Sequence, residues 1–130
     1  MTTNSPTTEP PIELDLLNWG NILQEYAADW SRHSKREFFS DDYFFMFLEV
    51  LNGHHTQTPP NKSTLAARVT EGAFPKRYNK VEKANDEGFF CYEQRGREVV
   101  VHPTDKLMKL MKGHLERTRE LARNRLHPPG

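Results

Sequence analysis

Between Phe74 and Gly88 the chain carries Lys76, Arg77, Asn79, Lys80 and Lys83, four cations and an amide within eight residues. These side chains suit a polyanion with readable edges. A guanidinium can bond O6 and N7 of guanine, a carboxamide can do the same for adenine, and an ammonium suits a phosphate. Residues near the start of a reading helix reach deepest into a groove. Lys76, Arg77 and Asn79 are therefore the candidates for base edges, and Lys80 and Lys83 for the backbone. A second group, Asn61, Lys62, Ser63 and Thr64, offers hydroxyls and the N–H groups of a helix start to a phosphate. A third, Arg95 and Arg97, brackets Gly96 and has the reach to enter a narrow minor groove or hold its phosphates. Each group also has a plainer reading: a solvated helix face, a helix cap, a turn kept soluble by charge.

Other chemistries find less support. No glycine-rich phosphate loop and no nucleophile motif occurs, and nothing orders the His, Asp and Glu residues into a catalytic set. An enzyme is not expected. His33, His54 and His55 have no cysteine or carboxylate cluster beside them, so neither a metal nor a cofactor is expected. Cys91, the sole cysteine, rules out an intramolecular disulfide. It alternates with Phe90 and Tyr92 and reads as a small buried residue.

The formal charge of the 130 residues is zero, but it is unevenly placed. Residues 1–60 hold three basic and nine acidic side chains, net −6; residues 61–130 hold fifteen basic and nine acidic, net +6. Such a chain can turn one basic face to a polyanion. No apolar run approaches the ~18 residues of a membrane span. Residues 1–11 lack the cationic and apolar parts of a secretory signal, are rich in Thr and Pro, and read as a disordered tail. A reducing cytoplasm is the expected compartment.

The elements that must position these groups follow from periodicity. Ile12, Leu16, Trp19, Leu23, Tyr26 and Trp30 form a heptad seam on a first helix that fades near Ser34. Ser40 or Asp41 caps a second helix, with Phe44, Phe47, Leu48 and Leu51 inside and Gly53 as its stop. Asn61 caps a short third helix of about nine residues, with Leu65, Ala66 and Val69 inward, and a turn over 70–73 follows. Pro75 opens a fourth helix over 74–87. Burying Phe74, Tyr78 and Val81 turns its cations outward. Phe89–Glu93 and Glu98–His102 read as a hairpin around Gln94–Arg97. Thr104 caps a last helix striped by Met108, Met111, Leu115, Thr118 and Ala122. Residues 12–126 form one domain, with 127–130 a tail.

The order helix, helix, short helix, turn, helix, hairpin, helix is that of a winged helix-turn-helix. The fold class is therefore mostly α with a small β-hairpin wing, carrying long N- and C-terminal dimerisation helices. Ser63-Thr64-Leu65-Ala66-Ala67-Arg68-Val69 resembles the positioning helix of MarR-type regulators, Ser-x-Leu-Ala-x-Arg-Leu. Val81–Phe90 is similar to that family's passage from recognition helix to wing, and Val99–Lys106 to its second wing strand and following helix. The resemblance covers about residues 40–120, with the DNA-binding core at about 40–103. The wing is shorter than the family's and lacks its Asp-x-Arg pattern, and Phe74-Pro75-Lys76-Arg77 replaces a Ser/Thr-rich helix opening.

The resemblance implies a homodimer on double-stranded DNA, most simply a repressor occluding a promoter. Helix 74–87 would lie in the major groove and wing 89–102 at the minor groove or backbone. The dimer would be built from Ile12, Leu16, Trp19, Leu23, Tyr26, Met108, Met111 and Leu115. It also implies a small aromatic effector, with Trp19, Trp30, Phe38, Phe39 and Tyr43 as lining; core packing explains those rings equally well. The alternative is a winged-helix protein-interaction adaptor without DNA binding, which the acidic first half and short wing favour.

Overall fold

The structure is a computed structural model, and it describes residues 5–34, 38, 40–68 and 74–127, with the backbone alone at Asp41 and Phe74. Five helices and one hairpin follow in order: α1 Leu14–His33, α2 Asp41–His55, α3 Lys62–Ala67, α4 Phe74–Asp86, β1 Phe90–Arg95, β2 Glu98–Pro103 and α5 Asp105–Leu126. The layout is mostly helical with a two-stranded antiparallel sheet. Val69 and the expected turn at 70–73 lie outside the described residues, as does Phe39. Among the described residues no helix is long and apolar enough to cross a membrane.

Local chemistry sets the helix starts. Ser40 Oγ accepts from Tyr43 N at 3.4 Å, Asn61 Oδ1 from Thr64 N at 2.6 Å, and Thr104 Oγ1 from Leu107 N at 3.3 Å. Each cap satisfies a backbone donor that the helix itself cannot. Gly53 does not stop α2 as the sequence suggests; the helix runs on to His55 and Thr56 closes it, its N–H on Asn52 O. Gly53 is required for space instead. A Cβ there would stand 2.7 Å from Pro60 Cδ and 2.8 Å from Thr58 O, where the following loop folds back.

That loop then does something the sequence did not announce. Pro60 O accepts from Val101 N at 2.9 Å, and Asn61 bridges antiparallel to Val100, so the entry to α3 lies along β2. The hairpin is tighter than expected. Arg95 pairs with Glu98, leaving Gly96 and Arg97 as a two-residue turn with Gly96 at φ 62°, as a turn with glycine first requires. Gly88, at φ 89°, turns the chain out of α4. Thr104 Oγ1 donates to Gly88 O at 2.5 Å, and Lys106 Nζ to Glu87 O at 2.6 Å, which ties the start of α5 to this exit.

The core gathers on α2. Phe47 is fully buried, and its ring meets those of Trp30, Phe38, Tyr43, Phe89 and Phe90 at centroid distances of 5.1–6.3 Å. Val50, Leu65, Ala66, Val81, Ala84, Val101, Leu107 and Met111 close round this aromatic centre. Every element thus contributes at least one buried residue to a single core.

α1 and α5 run antiparallel, joined by charge. Asp29 on α1 is 5% exposed and accepts from Arg117 Nε at 2.6 Å, Arg117 Nη2 at 3.0 Å and His114 Nδ1 at 2.7 Å. Arg125 holds Glu25 further along. Burial would by itself raise the Asp29 carboxyl; the bonds from Arg117 and His114 outweigh it and hold the group below its ordinary 3.8. The Nε2 of His114 and Nε1 of Trp30 find no partner among the described residues.

A carboxylate whose folded pKa is depressed adds stability above its unfolded pKa, and that stability is lost as pH falls through the folded value. Denaturant midpoints of the wild type should therefore fall as pH drops below about 4, and Asp29→Asn should flatten that limb. At neutral pH Asp29→Ala should cost about 1–3 kcal/mol, because it takes the acceptor from the buried His114 Nδ1, while Arg117, 41% exposed, can turn to water. A loss under about 1 kcal/mol would mean that the joint is not what aligns α1 with α5.

Candidate nucleic-acid interface

A helix turns 100° per residue, so positions four apart share a face. Val81 and Ala84 are fully buried in α4. Arg77 lies four before Val81 and Lys80 four before Ala84, so both flank the buried face and are half-buried. The expected outward row is therefore narrower. Lys76, Asn79 and Lys83 are exposed, and Asp86 joins them at the end of the helix. Tyr78, expected in the core, is only half-buried, and of the Phe74 side chain nothing is described.

Two of the expected phosphate contacts are committed elsewhere. Lys80 Nζ lies 2.9 Å from Asp42 Oδ2 on the first turn of α2. Lys62 pairs with Glu82 of α4, and its ammonium sits over the rings of Tyr78 at 5.5 Å and Tyr92 at 4.9 Å. One lysine thus ties α3 to α4 and β1 by an ion pair and two cation–π contacts. Beneath it Tyr92 is driven by burial, and by the charge of Asp86, up to about 12. Its hydroxyl has no partner among the described residues.

The start of α3 and the hairpin tip do come together with α4. Ser63 Oγ lies 2.7 Å from Tyr78 OH. A cleft of about 310 Å³ opens between them, with Lys62, Ser63 and Tyr78 on one wall and Arg97, Glu98 and Val99 on the other. Asn61 serves as the α3 cap, and Thr64 stands exposed beside Ser63. Arg97 is exposed at the tip and makes no ion pair among the described residues. Arg95 lies 2.9 Å from Glu93, which also accepts from His102 Nε2 at 2.7 Å. The bonds from His102 and then Arg95 hold the Glu93 carboxyl below its ordinary range.

Cys91 is exposed rather than buried. Strand side chains alternate, and Phe90 takes the inner face at 3% exposure, which turns Cys91, Glu93 and Arg95 outward. Among the described residues no three His, Cys, Asp or Glu side chains are grouped to hold a metal.

The expected dimer seam divides in two. Tyr26 stacks edge-to-face on Phe44 at 5.2 Å and lies 4.6 Å from the His114 ring, and Met111 is 1% exposed, so both serve the chain's own core. Met108 is half-buried. The upper half of the seam is bare: Ile12, Leu16, Trp19 and Leu23 are 49–64% exposed, and Leu115 is 40% exposed on α5. Of the rings expected to line an effector pocket, Trp30, Phe38 and Tyr43 are buried in mutual contact or against Phe47, and Trp19 lies on the bare stripe.

Comparison with protein-family models, curated proteins and solved structures finds no match to this chain. Its function therefore rests on the residues and their arrangement.

Proposed function

We propose that the chain is a homodimeric winged helix-turn-helix of MarR-like layout that binds double-stranded DNA as a transcription regulator. The observation that carries this reading is the meeting of α4, the start of α3 and the hairpin tip round one cleft. Lys76, Asn79 and Lys83 form the open face of α4. Ser63 and Thr64 lie beside it at the start of α3, and Arg97 stands across one cleft at the hairpin tip. A helix with an amide and a lysine near its start can read base edges, while flanking hydroxyls and cations hold phosphates. Lys80 and Lys62 act in this reading as struts rather than as DNA contacts.

The bare α1 stripe supports the dimer. Monomers rarely expose an apolar patch beyond a few hundred Å². Leu16, Trp19 and Leu23 of α1, with Ile12 just before it, follow one another at steps of three or four residues and are 49–64% exposed, a row on one helix face. Two-fold DNA sites also need two reading helices about one duplex turn apart.

A second reading, a protein-interaction adaptor, is favoured by one observation. Lys62, Lys80 and Arg95 already face carboxylates of their own chain, and Asp86 interrupts the open face of α4. One experiment separates the two. The wild type should enrich an inverted repeat from random duplex DNA and lose affinity steeply with salt. Lys76→Ala/Asn79→Ala should abolish the sequence preference, while Lys83→Ala should weaken all duplexes alike. Absence of binding at low salt would leave the adaptor.

The dimer has its own check. In sedimentation the wild type should run at twice the chain mass, and Trp19→Glu/Leu23→Glu should run as a folded monomer. A wild type that is monomeric at tens of micromolar would overturn the two-fold model.

A further inference from the structure

A lysine of α4, Lys80, is held by a carboxylate of its own chain. Asp42 Oδ2 accepts from Lys80 Nζ at 2.9 Å across 38 residues of sequence. The two side chains are unequal partners: that of Asp42 is 10% exposed and that of Lys80 is 28%. Asp42 sits in the first turn of α2, just after the Ser40 cap, where the helix dipole favours a negative charge. For Lys80 to reach a DNA phosphate it would have to break its pair with a carboxylate that is 10% exposed, which costs free energy. Lys76, four before Lys80 on the same side of α4 but exposed, and Asn79 bear no such tie among the described residues.

We infer that Asp42 is a specificity-determining residue: it holds Lys80 off the DNA backbone and so limits binding to DNA of arbitrary sequence. The inference rests on the DNA-binding reading above. Binding to arbitrary DNA is the sum of phosphate contacts, and each phosphate neutralised steepens the fall of log K with log salt by about 0.9. Removing one lysine from that sum weakens every duplex alike. Contacts from Lys76 and Asn79 to base edges are untouched, so the ratio of specific to arbitrary binding rises.

The test measures binding constants against salt on a random-sequence duplex and on the duplex selected from a random pool. Wild type, Asp42→Asn, Lys80→Gln and the double variant are compared, each first shown to melt cooperatively. An amide keeps the shape of Asp42 but cannot neutralise an ammonium. Asp42→Asn should steepen the salt slope by about 0.9, bind the random duplex several-fold more tightly at low salt, and lower the ratio of selected to random binding. Lys80→Gln should keep the wild-type slope, and the double variant should return to it. A Lys80→Gln slope shallower than wild type by about 0.9 would place Lys80 on a phosphate and overturn the inference alone. An Asp42→Asn slope equal to wild type would overturn it too. Should Asp42→Asn fail to fold, the Lys80→Gln slope decides by itself. A wild type that binds neither duplex removes the DNA-binding reading and this inference with it.

Discussion

The packing of the Phe47 ring is the contact on which the rest of this molecule depends. It is fully buried and lies against rings from α1, from the α1–α2 segment, from α2 itself, from Phe89 just before β1 and from Phe90 at its start. Edge-to-face and tilted pairs of this kind are directional as well as apolar. They fix angles between elements, not only distances. The hairpin therefore stands in a set orientation to α2, and α3 follows because Pro60 and Asn61 are bonded to β2. α4 then leans on α3 through Lys62 and Tyr78 and on α2 through Lys80. The open face of α4 is aimed by this chain of contacts.

Charge has two different jobs in the molecule. At the α1–α5 joint Asp29 and His114 are buried while Arg117 reaches in from the surface, and one carboxylate selects one alignment of two long helices. Such buried sets contribute more to uniqueness than to net stability, because desolvation offsets much of the attraction. Around α4 the pairs are partly open to water, and they hold Lys62 and Lys80 against carboxylates of the same chain. The sequence offers five polar candidates on α4; the fold leaves Lys76, Asn79 and Lys83 on the open face and turns Arg77 and Lys80 toward its flanks.

What could be read from sequence was local. Ser40, Asn61 and Thr104 cap because a short polar side chain before an apolar run has few other uses, and each helix start lies where those residues put it. Gly96 marks the hairpin because its turn needs a positive φ. What could not be read was set by partners far along the chain. Asp42 and Lys80 are 38 residues apart, and Asp29 and Arg117 are 88. Nothing in either neighbourhood announces the other. Cys91 was misplaced for a related reason. Phe89, Phe90 and Tyr92 give no clean alternation, so the inner parity of β1 is settled by contact with Phe47 rather than by pattern. Gly53 looked like a stop and is a clearance for Thr58 and Pro60.

The DNA-binding proposal requires that α4, the start of α3 and the hairpin tip meet the duplex as one surface. The most direct measurement is amide chemical-shift mapping of the labelled protein during titration with its selected duplex. The account requires the largest shifts at Lys76, Asn79 and Lys83, with Ser63, Thr64 and Arg97 beside them, and small ones along Leu16, Trp19 and Leu23. Shifts concentrated on the α1 stripe, or none on α4, would contradict it.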